Sequence, residues 1–170
     1  MAKLARKALM HFIDDTFGGT TPSWFLIGKD VEDMSVELNS DTEQTTNILD
    51  ETTTTDNGYT PSFDVDTYKA DPADGDFYEK IVDIAMNRLT GDDCKTKVLE
   101  VLVDGSSTIK AWQEDVIVKP TSYGGPTGSV SIPYTVSFDG NRKEGTVTMT
   151  NGVPTFTAAS SGSSGGSGVG

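Results

Sequence analysis

The stretch that decides the fold covers residues 24–68 and reads WFLIGKDVEDMSVELNSDTEQTTNILDETTTTDNGYTPSFDVDTY. At its ends, residues 24–38 and 62–68, apolar side chains alternate with polar ones, most clearly over residues 33–38. A period of two is typical of a strand with one buried face and one exposed face. The middle, residues 39–61, consists almost wholly of Ser, Thr, Asn, Asp and Glu. We therefore predict two amphipathic strands joined by a long polar arm.

The arm is too polar to form part of a core, although its many threonines suit an extended backbone. Connections longer than about 12–15 residues are uncommon within a compact domain and are usually functional or disordered. We therefore expect the arm to contact something outside its own subunit.

The charge of the chain is unevenly distributed. The 170 residues have a net charge of −13 at pH 7, whereas residues 1–13 hold three bases and no acid. Residues 14–83 hold 18 acids and three bases. Because affinity for nucleic acid comes mainly from cations that neutralise phosphates, this balance argues against a protein that wraps DNA or RNA. The mean hydropathy of −0.33 predicts one domain with a thin core.

A helix is predicted over residues 71–91. Asp71 is placed to cap it, Pro72 suits the first helical position, and Gly91 suits the left-handed stop. One apolar stripe is expected to pack across a sheet. The residues of this stripe are Phe77, Ile81, Ile84, Ala85 and Leu89.

Strand patterns dominate the chain after residue 97, so the protein is predicted to be mainly β. Turns are predicted at Asp104–Gly105, Asp139–Gly140 and Asn151–Gly152. Pro133 predicts an edge strand or a bulged one. The expected strands are residues 98–103, 109–118, 130–138, 145–150 and 153–157.

The two ends of the chain differ in character. Residues 1–15 have apolar side chains at near-helical spacing and predict a helix or an arm that docks on a neighbour. A membrane-surface helix is disfavoured because the apolar face is short. Residues 158–170 are mostly Gly and Ser and predict a flexible tail or a linker. No apolar run is long enough to span a bilayer and no secretion signal is evident, so the protein is expected to stay in the cytoplasm unless it leaves as part of a particle.

Side chains suited to catalysis or metal binding are few. His11 is the only histidine and has no nucleophile near it in the sequence, so a surface role is expected. Cys94 is the only cysteine and predicts neither a disulfide nor a metal site. The acids of residues 71–76 lack oxygen ligands at the third and fifth positions of a calcium loop. Asp14–Asp15 and Asp92–Asp93 sit beside turns, where acids are common for local reasons. We expect neither enzymatic activity nor a cofactor.

The order of these segments resembles the major tail protein, or tail tube protein, of long-tailed non-contractile phages, particularly the lactococcal type. The resemblance covers most of the chain. It rests on the strand at residues 24–28, the strand at 34–38 with its polar arm, and the return GYTPSF at 58–63. The capped helix and the closing hairpins complete the order.

The resemblance implies two packed antiparallel sheets with a flanking helix, in a tail-tube-like domain over residues 1–157. Six subunits would form a ring, and rings would stack into a hollow tube through which the genome is ejected. The arm at residues 39–60 would reach the adjacent ring, and Asp33, Ser35 and Glu37 would face the lumen. The residues expected to make the contact between rings are Thr42, Glu43, Thr45, Thr46, Asp50, Glu51, Thr53, Asp56 and Tyr59.

The same resemblance implies the partners and the location. These are other copies of the chain, a tape measure protein in the lumen, and tail-tip or baseplate and tail terminator proteins, within the virion tail after assembly in the host cytoplasm. DNA would pass without specific binding because an acidic lumen repels phosphate. The alternative is a monomeric β-sandwich that recognises a glycan or another surface partner, for which aromatic side chains on an exposed platform are expected. The arm offers only Tyr59.

Overall fold

A computed structural model describes residues 3–159, and within that range nine strands and one α-helix form a mainly β fold. The predicted fold class is confirmed. In chain order the elements are β1 (Leu9–Asp14), β2 (Trp24–Ile27), β3 (Ser40–Thr46), β4 (Thr52–Tyr59), β5 (Ser62–Val65), α1 (Asp76–Asn87), β6 (Lys95–Leu102), β7 (Ile109–Pro120), β8 (Tyr134–Thr150) and β9 (Val153–Ala158).

Seven of the strands form one antiparallel sheet in the order β2-β1-β6-β7-β8-β5, with β9 also paired to β8. One edge of β8 pairs with β7 along most of its length, and the other edge is shared between β5 and β9. The sheet curls strongly. Three strands separate β1 from β5, yet the ring centroids of His11 on β1 and Phe63 on β5 are only 5.3 Å apart. The second sheet contains only β3 and β4.

The main core fills the concave side of the curled sheet, under α1. Phe77 of the helix stacks on Phe25 of β2 with ring centroids 4.3 Å apart, and its edge meets Tyr68. Phe77, Ile81 and Ile84 are buried and Ala85 packs against the core. Burying each large side chain contributes about 1.5–3 kcal/mol, so this face holds the helix on the sheet. A smaller cluster around Phe12 and Leu99 packs on the opposite face.

The predicted helix over residues 71–91 is shorter in the structure. A 3₁₀ turn (Pro72–Asp74), capped by the Asp71 side chain, comes first and is separated from α1 by Gly75. Gly75 has φ +67° and ψ −126°, a conformation that favours glycine and interrupts the helix. The helix ends at the left-handed Arg88, so Leu89 lies beyond it and is half-buried.

Two strand predictions are wrong. Of residues 24–38, only Trp24–Ile27 form a strand, and the rest lack regular structure apart from a bridge between Glu37 and Ser62. The hairpin turn predicted at Asp139–Gly140 is absent. Here β8 runs straight through, because Gly140 and Asn141, with φ +98° and +59°, form an irregularity in the ladder with β7 instead of reversing the chain.

The predictions for the two termini also need correction. Within residues 3–15 the opening segment is not the predicted helix or docking arm, since Arg6–Ala8 form one 3₁₀ turn and Leu9–Asp14 form β1 between β2 and β6. Phe12 and Ile13 face opposite sides of the sheet and are both buried, so helical spacing here reflected a strand with two apolar faces. At the other end Ala158 is the last residue of β9, and residues 160–170 of the predicted tail lie outside the described range.

Candidate assembly surfaces

The arm is an ordered antiparallel hairpin of β3 and β4. The two strands pair only with each other, and every residue in them is exposed except the half-buried Gly58. At about 3.4 Å per residue, the seven residues of β3 span about 24 Å. A hairpin that buries so little is not part of the core, which leaves both of its faces and both of its edges available for a partner.

The base of the arm is fixed to the sheet by hydrogen bonds. The backbones of Glu37 and Ser62 bond twice, at 2.7 and 3.0 Å, and the Thr60 N–H donates to the Leu38 carbonyl at 3.2 Å. Asn39, at φ +50°, turns the chain into the hairpin and donates from Nδ2 to the Thr60 carbonyl at 2.9 Å. Because Ser62 begins β5, the arm is attached to the large sheet.

A short turn closes the outer end of the hairpin. Oδ1 of Asn47 accepts hydrogen bonds from the backbone N–H groups of Leu49 and Glu51, at 2.8 and 3.1 Å. Nδ2 of Asn47 donates to the Glu51 carboxylate at 2.8 Å. Asp50 takes the left-handed conformation at φ +63°, which Asp tolerates better than most residues. In the sequence, the signal for this turn is the pair Asn47 and Asp50.

The structure brings the nine predicted arm residues together on this hairpin. Asp50 and Glu51 lie at the tip, and the other seven lie on β3 and β4, with Thr45 opposite Thr53. All nine are exposed. The predicted lumen residues Asp33, Ser35 and Glu37 are also exposed, on the irregular segment that leads from β2 to the arm, while Met34 between them is buried.

Three strands of the large sheet, β2, β5 and β9, pair with another strand on one side only within residues 3–159, and the outer side of β5 is bridged by Glu37 at Ser62. The outer edge of β2 is open, since β2 pairs only with β1, and so is the outer edge of β9, which pairs only with β8. Trp24 of β2 and Phe156 of β9 line one cleft of about 500 Å³, so parts of these two open edges lie near each other. Open edges readily pair with strands of another chain.

Four ionisable groups form a network on the concave face, which the sequence analysis missed. Nε2 of His11 and Oε2 of Glu100 are 2.9 Å apart, and His11 is buried, so the surface role expected for it is wrong. Nη1 of Arg142 lies 2.7 Å from Glu100 and 2.9 Å from Glu114. Burial alone would raise the pKa of Glu100, but His11 and Arg142 outweigh it and hold that pKa below its ordinary value. The network connects β1, β6, β7 and β8.

One member of each acidic pair considered as a candidate site has a structural partner. Asp14 accepts hydrogen bonds from the backbone N–H groups of Thr16 and Ser23, at 3.0 and 3.2 Å, and so closes a turn. Asp92 forms an exposed ion pair with Lys95 at 3.3 Å.

Two acids of residues 71–76, the segment considered above as a calcium loop, also make contacts that stabilise the fold. Asp71 accepts from the Ala73 N–H and pairs with Lys29 at 3.0 Å, and these contacts lower its pKa. Asp74 accepts from the Tyr68 hydroxyl at 2.8 Å. Within the described residues, no three His, Cys, Asp or Glu side chains are grouped to hold a metal ion. Nor does any helix in that part of the chain have the length and apolar character needed to cross a membrane.

A curled antiparallel sheet with one helix on its concave side and a projecting hairpin defines the structural class of this chain. Its fold is similar to that of the anti-feeding prophage cap, the AFP tube terminating cap, with a TM-score of 0.53 at 14% sequence identity. The match covers 86% of this chain and 93% of that chain. No protein-family model and no curated protein matches the sequence. At this identity the likeness shows the fold.

Proposed function

We propose that this chain is a structural subunit of a phage-type tail tube, of the kind found in non-contractile tails. The main support is the arm, an ordered hairpin about 24 Å long whose strands pair only with each other. Polar, exposed and fixed at its base, the arm is suited to reach a subunit in the next ring. The fold likeness to a tube terminating cap agrees with this proposal.

The proposed assembly is a ring of six subunits that stacks on other rings. The open edges of β2 and β9 are suited to pair side by side between neighbours, since closing a ring removes edges that a monomer would expose. The number six comes from the resemblance to tail tube proteins.

The proposed lumen is acidic and conducts genomic DNA during ejection. Asp33, Ser35 and Glu37 are exposed on one side of their segment, and residues 14–83 hold 18 acids. Such a surface repels phosphate at short range, whereas a basic wall would bind DNA and slow its passage. In this proposal the chain has no enzymatic role.

The proposed partners are those of a tail tube. They are further copies of the chain, a tape measure protein in the lumen, tail-tip or baseplate proteins at one end and a terminator at the other. The place of action is the virion tail, after assembly in the host cytoplasm.

A second candidate function is the terminating cap itself, because the similar structure bears that name. A tube subunit adds ring after ring, whereas a cap ends growth after one ring. Electron microscopy of the purified protein over a range of concentrations distinguishes the two, since the first gives tubes and the second gives single rings. Uniform monomers at high concentration would refute both and favour the monomeric binding module.

Replacing residues 45–55 with a short Gly/Ser turn tests the role of the arm. We expect an unchanged circular dichroism spectrum outside the lost hairpin, because the arm contributes no side chain to either core cluster. We also expect stacking to be lost. The control is the same Gly/Ser replacement in the exposed turn at residues 104–108, which should leave assembly intact. Normal tubes from the arm variant would contradict the proposal.

A further inference from the structure

The tip of the arm presents two large aliphatic side chains to solvent. Ile48 is 99% exposed and Leu49 is 72% exposed, the highest values among the exposed large hydrophobic residues of the described chain. The hydrogen bonds of Asn47 hold this turn in one conformation. A single exposed aliphatic residue is ordinary in a soluble protein. Here two adjacent ones stand at the end of a hairpin whose strands are otherwise polar, so the apolar surface is concentrated at one point.

All charged side chains of the arm are acidic. Residues 40–59 contain five acids and no Lys or Arg, and two of the acids, Asp50 and Glu51, directly follow the aliphatic pair. A surface that receives this tip should therefore combine an apolar floor with cations that have no acidic partner.

One cleft large enough to take two aliphatic side chains combines a floor of several aliphatic residues with two such cations. It measures about 470 Å³ and lies where β2 ends at Ile27 while the neighbouring β1 continues to Leu9. Its floor is aliphatic and partly exposed, since Leu26 is 48% exposed. The apolar residues that line it are Leu9, Met10, Leu26, Ile27, Val31 and Met34.

Two cations line this cleft without a carboxylate partner among the described residues. The Arg6 guanidinium donates to two backbone carbonyls, those of Leu9 at 2.7 Å and Met34 at 3.1 Å, and forms no ion pair. Lys7 is exposed and likewise unpaired. Glu32 and Asp33 also line the cleft and repel an acidic tip, so the tip is expected to lie toward Arg6 and Lys7. The cleft that contains Lys95 and Lys97 has no aliphatic side chain in its lining.

We propose that Ile48 and Leu49 of one copy insert into this cleft of a second copy, with Asp50 and Glu51 facing Arg6 and Lys7. This inference rests on the proposed function only in taking another copy of the chain as the partner of the arm. It gives the arm a defined receptor, the region of residues 6–10 and 26–34.

Photo-crosslinking tests the contact directly. A benzophenone amino acid is placed at position 48 of the full chain, the protein is irradiated across a concentration series up to millimolar, and intermolecular products are mapped by mass spectrometry. We expect the crosslink at residues 6–10 or 26–34 of a second copy. Tubes or rings with crosslinks only elsewhere, or with none, would overturn this inference and leave the proposed function standing. Crosslinks at the cleft without rings or tubes would support the inference and refute the proposed function.

Substitutions then measure the contribution of the tip. Ile48→Ser with Leu49→Ser should raise the threshold concentration for assembly at least about 10-fold, because burying each aliphatic side chain is favourable. The same rise is expected in the concentration needed for crosslinking when the benzophenone amino acid is placed at position 53. The melting temperature should not change, since both side chains are already in water. Met86→Ser with Val130→Ser, which are 50% and 52% exposed elsewhere, is the matched control. An unchanged threshold in the first variant, or an equal rise in the control, would overturn the proposal.

A charge exchange tests the orientation. Lys7→Glu and Glu51→Lys should each weaken assembly, and the double variant should recover at least part of the loss, because the ion pair is restored with its signs reversed. Additive losses in the double variant would overturn the predicted pairing of the tip acids with the bases of the cleft.

Discussion

The substitution Arg142→Ala tests whether the ionic network holds the curled sheet together. In the variant, Glu100 and Glu114 lose the cation that lies 2.7 and 2.9 Å from their carboxylates. Removing one partner of a fully buried pair costs about 3–5 kcal/mol, because the remaining charge has no compensation. The two Glu side chains are 12% and 10% exposed, but Arg142 is 41% exposed, so water can enter the space it leaves. We therefore expect a loss of about 2–3 kcal/mol in the free energy of unfolding.

Urea unfolding at pH 7, followed by circular dichroism, measures this loss. For a domain of this size it corresponds to a fall of about 4–12 °C in the melting temperature. Lys143→Ala is the control, because Lys143 is the next residue on β8, is exposed, and forms no ion pair within the described chain. A loss below about 0.5 kcal/mol in Arg142→Ala, the range of ordinary surface substitutions, would refute the reasoning. So would a loss equal to that of the control.

Three further predictions follow from the described contacts. Folding lowers the pKa of Glu100, so its charged form stabilises the fold above the unfolded pKa near 4.5, and this stabilisation is lost as the pH falls through the lower folded pKa. Chemical denaturation at pH 7 and pH 3 should therefore show that the difference in unfolding free energy between wild type and Arg142→Ala is smaller at pH 3. An equal difference at both pH values would contradict this. Gly145→Ala should cost about 1–3 kcal/mol and speed proteolysis of β9, because the new methyl group would overlap the Phe156 ring and the Thr157 carbonyl, whereas Gly28→Ala has open space and serves as control. Ser35→Lys with Glu37→Lys should permit assembly, since neither residue lines the cleft proposed for the arm tip, but should slow DNA ejection, measured by dye entry into released DNA. Asp92→Lys is the control, and ejection at the normal rate would show that Ser35 and Glu37 do not face the lumen.

Local patterns in the sequence predicted the fold class and most strands, but not the course of the chain through β8. Asp139–Gly140 is a strong hairpin signal, and the structure does use its conformational freedom, with Gly140 at φ +98°. The left-handed backbone at this position forms an irregularity inside one long strand and does not reverse the chain, because β8 pairs with β7 on both sides of it. Whether such a pair reverses the chain or bends it depends on a neighbouring strand about 25 residues away, which local patterns do not contain.

The candidate assembly surfaces, too, could be predicted only in part from local sequence patterns. The polar composition of the arm identified it as a projecting element, and the bracketing Asn47 and Asp50 could have located its tip. The network of His11, Glu100 and Arg142 could not be found in this way, because its members are separated by 89 and 42 residues and meet only when β1, β6 and β8 are placed in one curled sheet. A lone histidine in the sequence gives no sign of the carboxylate that it will meet.

The attachment of the arm at one end makes it a lever. Its base is fixed to β5 by the Glu37–Ser62 bridge and the Asn39 side chain, while β3 and β4 beyond it pair with no strand of the large sheet. With a length of about 24 Å, a tilt of about 5° at the base moves the tip by about 2 Å, which is less than the width of a side chain. Subunits joined through their arms in the proposed tube could therefore tilt against one another by several degrees while the tip stays in place, and a long tail built in this way would bend without coming apart.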